Sequence, residues 1–235
     1  MVREELIKKS PLRILEKSTH GGVGKGNMGI IAARKGVGKT ACLVHIATDQ
    51  LFQEKHVIHV SFASNTQHII SWYEEIFSEI SRRRNLDSAM QIHDKIIRNR
   101  VIMNFNQDGV KIFQIISSIR SLITNGAFAA DSIIVDGFDF RKGTVEDLSL
   151  FKQLAGELGL EIWFSASIKA DQDKLNQDGI PEILEPYLVH VAILIILKSD
   201  NGTIHLQLVK DHDIKPVTDM HLKLDPKVLL ITEEM

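Results

Sequence analysis

Apolar residues along this chain alternate between two periods. Short, nearly unbroken apolar runs at Met28–Ala33, Val57–Phe62, Val101–Phe105, Ser132–Val135 and Glu161–Phe164 read as buried strands. Between them, Ala41–Phe52, Gln67–Ile80, Val110–Ile123 and Val145–Leu158 carry helical spacing, clearest through Ile69, Tyr73, Ile76 and Ile80. The charged segment Ser81–Arg100 predicts one more helix, and Pro11–Lys17 a short one opened by proline after Ser10. Past the polar stretch Lys169–Gly179 the helices stop. Val189–Leu197, Thr203–Val209 and His221–Leu224 predict consecutive strands, and Asn201-Gly202 is a hairpin turn signal. The pattern predicts an α/β fold: a mostly parallel twisted sheet flanked by helices, with an antiparallel C-terminal β-hairpin. One domain is expected over residues 1–235, with 1–27 as an N-terminal helix and a glycine-rich lead-in.

Candidate chemistry concentrates around the first strand. Ala33-x-x-x-x-Gly38-Lys39-Thr40 follows that strand and opens a helix, matching a phosphate loop with alanine for its first glycine. Such placement points the backbone N–H groups of Gly36, Val37, Gly38, Lys39, Thr40 and Ala41, with the positive end of the helix, at a polyphosphate. Lys39 would reach the β- and γ-phosphates, and the Thr40 hydroxyl would bind Mg²⁺. Asp136, ending the run Ile133-Ile134-Val135, is a strand-end carboxylate placed to hold a Mg²⁺-bound water, while Asp139 is assigned to the loop after it. Two further strings fail on context. Gly21–Lys25 resembles a phosphate loop, but Gly26 replaces the hydroxyl and a strand follows. Gly24-x-Gly26-x-x-Gly29 spells a dinucleotide fingerprint but precedes a strand instead of following one. Ile168-Lys169-Ala170-Asp171 approaches a guanine-reading motif without its polar first residue, so ATP is the expected nucleotide.

From Gly29 to Ala41 the chain resembles RecA-like ATPases, nearest the branch of DnaB-type helicases, RadA-type recombination factors and KaiC-type clock ATPases. The resemblance implies ATP and Mg²⁺ as ligands, a ring or filament of identical subunits, and a DNA or protein client. It implies that Lys210, in Leu208-Val209-Lys210-Asp211-His212-Asp213, acts in trans on a neighbour's γ-phosphate, with His212 where the family carries arginine. It also implies a catalytic glutamate just past the second strand. Ala63 stands there and cannot orient a water, and Glu74 and Glu75 lie too far down the next helix. Ser64 or Asn65 would orient water imperfectly, and Ser165 and Ser167 replace the family's polar sensor. The expectation is an ATP-binding protein with weak Mg²⁺-dependent hydrolysis using Lys39 and, in trans, Lys210. The alternative is a nucleotide-binding regulatory or scaffold protein that does not hydrolyse.

Composition narrows the partners. With 28 basic and 30 acidic side chains the net charge is −2, which argues against a protein that wraps nucleic acid. The basic residues Arg82, Arg83, Arg84, Lys95, Arg98 and Arg100 lack interleaved aromatics and read as a solvated face balanced by Asp87 and Asp94. DNA therefore has little support as a partner. The single cysteine, Cys42, suits a reducing compartment and reads as a small buried residue. The mixed-charge N-terminus is not a signal peptide, and the longest apolar run, Tyr187–Leu197, is shorter than the about 20 residues a spanning helix needs. A cytoplasmic protein without membrane contact is expected. The 10 histidines show no zinc-finger spacing, and His45, His56, His59 and His68 read as core-edge or surface residues.

Overall fold

The computed structural model describes residues 2–63, 65–84, 89–169, 173–214, 218–228 and 230–234. In chain order the elements are α1 (Val2–Lys8), α2 (Leu12–Ser18), β1 (Met28–Arg34), α3 (Lys39–Phe52), β2 (Val57–Ser61), α4 (Gln67–Arg84), α5 (Ala89–Arg98) and β3 (Arg100–Asn104). Then follow α6 (Ile112–Thr124), β4 (Ser132–Asp136), α7 (Val145–Leu158), β5 (Glu161–Ile168), a 3₁₀ turn (Glu182–Tyr187), β6 (Ile193–Asp200), β7 (Thr203–Asp211), β8 (Thr218–Asp225) and β9 (Leu230–Glu233). The strands form one sheet in the order β3-β2-β4-β5-β1-β6-β7-β8-β9. Pairings from β3 across to β6 are parallel, and those from β6 to β9 are antiparallel.

Alternation explains why the parallel strands read as unbroken apolar runs. In β1, Met28, Ile30 and Ala32 pack into the layer under α6 and α7, whereas Ile31 and Ala33 pack into the layer holding α3 and α4. Both faces of a parallel sheet are covered, so both sets of positions must be apolar. Helix α3 is buried almost all round, its polar His45, Thr48, Asp49 and Gln50 included, because α1, α4 and β9 close over it. Local chemistry sets other boundaries. Helix α7 starts at a capping box, in which the Thr144 hydroxyl accepts from the Asp147 N–H, and it ends at Gly159 in a left-handed conformation.

The structure departs from the sequence pattern at several places. Strand β6 begins at Ile193, not Val189. The preceding residues follow the 3₁₀ turn whose Tyr187 hydroxyl donates to the carbonyls of Phe140 and Gly143, leaving Val189 77% exposed. Strand β5 runs on to Ile168, paired along the whole of β1. Helix α1 and strand β9 have no counterpart in the sequence pattern. Both are short, and β9 is held through a buried side chain, the Ile231 N–H donating to Nδ1 of His45 at 3.0 Å. Among the described residues no helix is long and apolar enough to cross a membrane.

Candidate nucleotide-binding site

Strand β1 lies between β5 and β6, and the chain leaves it through α3 to β2, on the far side of β5 and β4. In open parallel sheets the crevice where connections diverge, at the carboxyl ends of the strands, is the usual ligand position. Residues 34–40 occupy that crevice.

The loop's geometry follows from its residue types. Ala33 lies within β1 and has no positive φ, so the first position of the motif needs no glycine. Gly38 is the N-cap of α3 at φ 111°, a conformation that L side chains rarely adopt. A Cβ there would also run into Leu224 Cδ2, so β8 packs directly on the loop. No acidic residue sits in the first turn of α3, which leaves its N-terminal dipole uncompensated.

Lys39 is only 8% exposed. Its Nζ donates to the carbonyls of Ala33 at 3.1 Å and Arg34 at 3.0 Å. Burial pushes its pKa down, with Asp136 acting in the opposite sense. Two neutral carbonyls solvate the ammonium without neutralising it. Beside it, the Thr40 hydroxyl donates to Oδ2 of Asp136 at 2.9 Å. A hydroxyl that gives its hydrogen to a carboxylate keeps its oxygen lone pairs, and both groups are hard oxygen donors of the kind Mg²⁺ takes. Asp136 is buried, and the Gly137 N–H behind it donates to the Ser165 hydroxyl at 2.8 Å. Ser165 thus sets the strand-end turn, whereas Ser167 is exposed. Asp139 serves its own loop, accepting from the Arg141 N–H.

Ala63 follows β2 beside this carboxylate. Ser61 pairs with Asp136, and the Phe62 N–H donates to the Asp136 carbonyl at 2.9 Å. The Ala63 carbonyl accepts from Asn104 Nδ2 at 2.7 Å, so its backbone is held but presents only a methyl group. Glu74 is engaged by His93 of α5 at 2.5 Å, and Glu75 is exposed. The Asn65 side chain accepts from the Gln67 N–H at the start of α4. Ser64, Asp87, Ala170 and Asp171 lie outside the described residues.

Lys210 does not lie on this edge. It pairs with Leu194, which pairs with Ile30, so it stands level with the start of β1 and two strands away. The distance from that level to Arg34 is about 13 Å at strand spacing. Lys210 instead donates to the His212 carbonyl. The turn on the loop's edge is the β6–β7 hairpin, carrying Lys198 two residues beyond Ile196, the partner of Ala32. A place for Lys210 beside the phosphates of its own chain would need the β7–β8 turn to lie at the loop. Strand direction puts that turn at the opposite edge, and within one chain Lys210 is remote from Lys39.

The basic residues are dispersed. Arg82 and Arg83 both bind Glu79, which holds that carboxyl down to about 2, and Arg100 lies 4.2 Å over the Tyr73 ring. Glu79 thus takes the balancing part expected of Asp87 and Asp94. His45 and His59 are fully buried, not at the core edge, whereas His68 is exposed. Cys42 is buried, and burial pushes its thiol up to about 12. The glycine-rich lead-in lies at the opposite edge from the loop, where the Gly26 N–H donates to the Leu160 carbonyl and Lys152 donates to the Gly26 carbonyl.

No family model matches the chain, and no curated protein matches it in sequence. Its structure is similar to the solved ATPase domain of a DnaB-like helicase, with a TM-score of 0.66 at 17% identity, over 93% of this chain and 88% of that one. The chain therefore has a RecA-like α/β ATPase fold, and the loop after β1, with Thr40 and Asp136, occupies the crevice of that fold.

Proposed function

We propose that this protein binds ATP with Mg²⁺ at residues 36–41 and hydrolyses it slowly. The observation that carries the reading is a buried lysine held only by neutral carbonyls, beside a hydroxyl–carboxylate pair, at the N-terminus of α3. An anionic phosphate supplies the charge that Lys39 lacks, and the backbone N–H groups of Gly36 to Ala41 line up to receive it. Thr40 and Asp136 would hold Mg²⁺, which when bound neutralises charge on the phosphate oxygens. The fold's likeness to an ATPase domain supports the nucleotide.

Ala63 supports slow turnover, because no side chain at that place accepts a proton from water. It equally favours the second reading, a nucleotide-binding regulatory or scaffold protein. Binding and steady-state turnover of Mg²⁺–ATP on one preparation separate the two. Turnover abolished by Lys39→Ala establishes an ATPase; tight binding without turnover establishes the scaffold; no binding overturns both. Ala63→Glu should raise turnover tenfold or more, and no gain would remove the assignment of the missing base to position 63.

A ring or filament of identical subunits completes this reading, and Lys210 enters it only across an interface. Mixing Lys39→Ala and Lys210→Ala chains should restore part of the turnover each lacks alone. No restoration removes Lys210 from the mechanism.

A further inference from the structure

The outer face of the antiparallel strands carries a cluster that nucleotide chemistry does not use. In β7, Ile204, Leu206 and Leu208 turn into the core, so His205 and Gln207 face outward. Pairing with β8 is then displaced. Ile204 and His205 pair with Leu224 and Lys223, but Gln207 pairs with Asp219, leaving two extra residues in β8 around His221 at φ 53°. In an unbroken ladder residue 221 would face Gln207; the bulge puts a carboxylate there instead. Bulges of this kind re-aim side chains at sheet edges. Glu234, just past β9, is fixed from the other side, its N–H donating to the His221 carbonyl at 2.9 Å.

Three adjacent strands thus bring together one imidazole and two carboxylates. Ligand atoms of His205, Asp219 and Glu234 all lie within 4.8 Å of one another, and Nδ1 of His205 is 3.3 Å from Oε1 of Glu234. Asp219 gives one oxygen to the His221 N–H at 2.8 Å and keeps the other. Two buried atoms at this place make no hydrogen bond among the described residues: Nδ1 of His205 and Oε1 of Gln207. Each has a lone pair that suits a cation, and a buried acceptor left without a partner is unfavourable.

We propose that His205, Asp219 and Glu234 form a site for a divalent transition-metal cation of the Zn²⁺ type, with Gln207 as a supporting oxygen donor. Mixed imidazole and carboxylate donors suit Zn²⁺ or Co²⁺, whereas Mg²⁺ and Ca²⁺ prefer all-oxygen sets. A cation there cross-links β7, β8 and the end of β9, and so steadies the strand whose Leu224 packs on Gly38. The site lies outside the nucleotide crevice and does not depend on the nucleotide assignment.

The test is a calorimetric titration of the full, tag-free chain with Zn²⁺ after chelator treatment, without nucleotide, and a parallel Co²⁺ absorbance titration. One equivalent should bind with a micromolar or lower Kd, and Co²⁺ should develop visible bands. His205→Ala and Glu234→Gln should each weaken binding tenfold or more and remove those bands, whereas Lys39→Ala and exposed His68→Ala should change neither. Glu234 lies beyond the last strand, so its variant keeps the test valid if His205→Ala fails to fold. Absence of saturable binding, or affinity unchanged in both variants, would overturn the site and leave the trio an ion pair only.

Discussion

Two loops flank β1 with the same four residues and have opposite characters. Gly22-Val23-Gly24-Lys25 precedes the strand, and Gly36-Val37-Gly38-Lys39 follows it. In the first, Val23 is 1% exposed and anchored in the core, while Lys25 is exposed. In the second, Val37 is half-buried, and Lys39 is buried against the carbonyls at the end of β1. The first leads into a strand at the amino edge of the sheet. The second caps a helix at the carboxyl edge, where N–H groups and a helix dipole converge. Anion chemistry therefore comes from the loop's place between strand and helix, and the glycines and lysine only permit it.

The largest expected effect contrasts the two lysines. Lys39→Ala should weaken Mg²⁺–ATP binding 100-fold or more by calorimetry, while Lys25→Ala leaves it within about twofold. Comparable losses in both variants would break the contrast. Removing the cation side of the site comes next. Thr40→Val should weaken ATP binding about tenfold with Mg²⁺ present and much less in chelator, because the lost lone pairs serve only the cation. An equal loss in both buffers would detach Thr40 from metal binding.

The two valines invert the ranking, since here the lead-in carries the structure. Val23→Ala should destabilise the fold by about 2 kcal/mol in denaturant titration, and Val37→Ala by less than about 1 kcal/mol. A Val37 cost equal to that of Val23 would mean the phosphate loop is as much part of the core as the lead-in.

The smallest effect is pH dependence. Burial holds His45 and His59 neutral, pushed down to about 4 from an ordinary 6.5; Arg83 adds to the shift at His45, and Asp136 opposes it at His59. Below pH 6.5 the unfolded chain takes up protons that the folded chain refuses until about pH 4. Stability is therefore fully present above 6.5 and falls as the pH drops toward 4, by a few kcal/mol in order of magnitude. Melting temperatures should decline across that window and decline less in His59→Phe. An unchanged slope in the variant would assign the acid sensitivity to other groups.

Much of the parallel half of the fold is legible in the sequence, because strands covered on both faces leave continuous apolar runs. Asp136 is legible for the same reason: a carboxylate ending a buried strand stands out after Ile133-Ile134-Val135. Helix α1 and strand β9 are not, since neither is long enough to show a period. Their stability comes from covering α3, as in the bond from Ile231 to His45. The position of Lys210 is hidden for a similar reason. A hairpin's residues can be read from the chain, but which edge its turn occupies depends on how many antiparallel steps precede it.

Sequence alone determined the alternation of strand and helix, the motif Gly38-Lys39-Thr40 after a buried strand, and the alanine at position 63. These are local properties, fixed by period, by backbone conformation and by which side chains can carry a proton. Only the tertiary structure decided that Lys39 is buried on two carbonyls and that Thr40 donates to Asp136, 96 positions away. It alone placed Leu224 against Gly38 and gathered His205, Asp219 and Glu234 from three strands. Those relations depend on sheet order, strand direction and a two-residue bulge, which arise from packing between segments far apart in the chain.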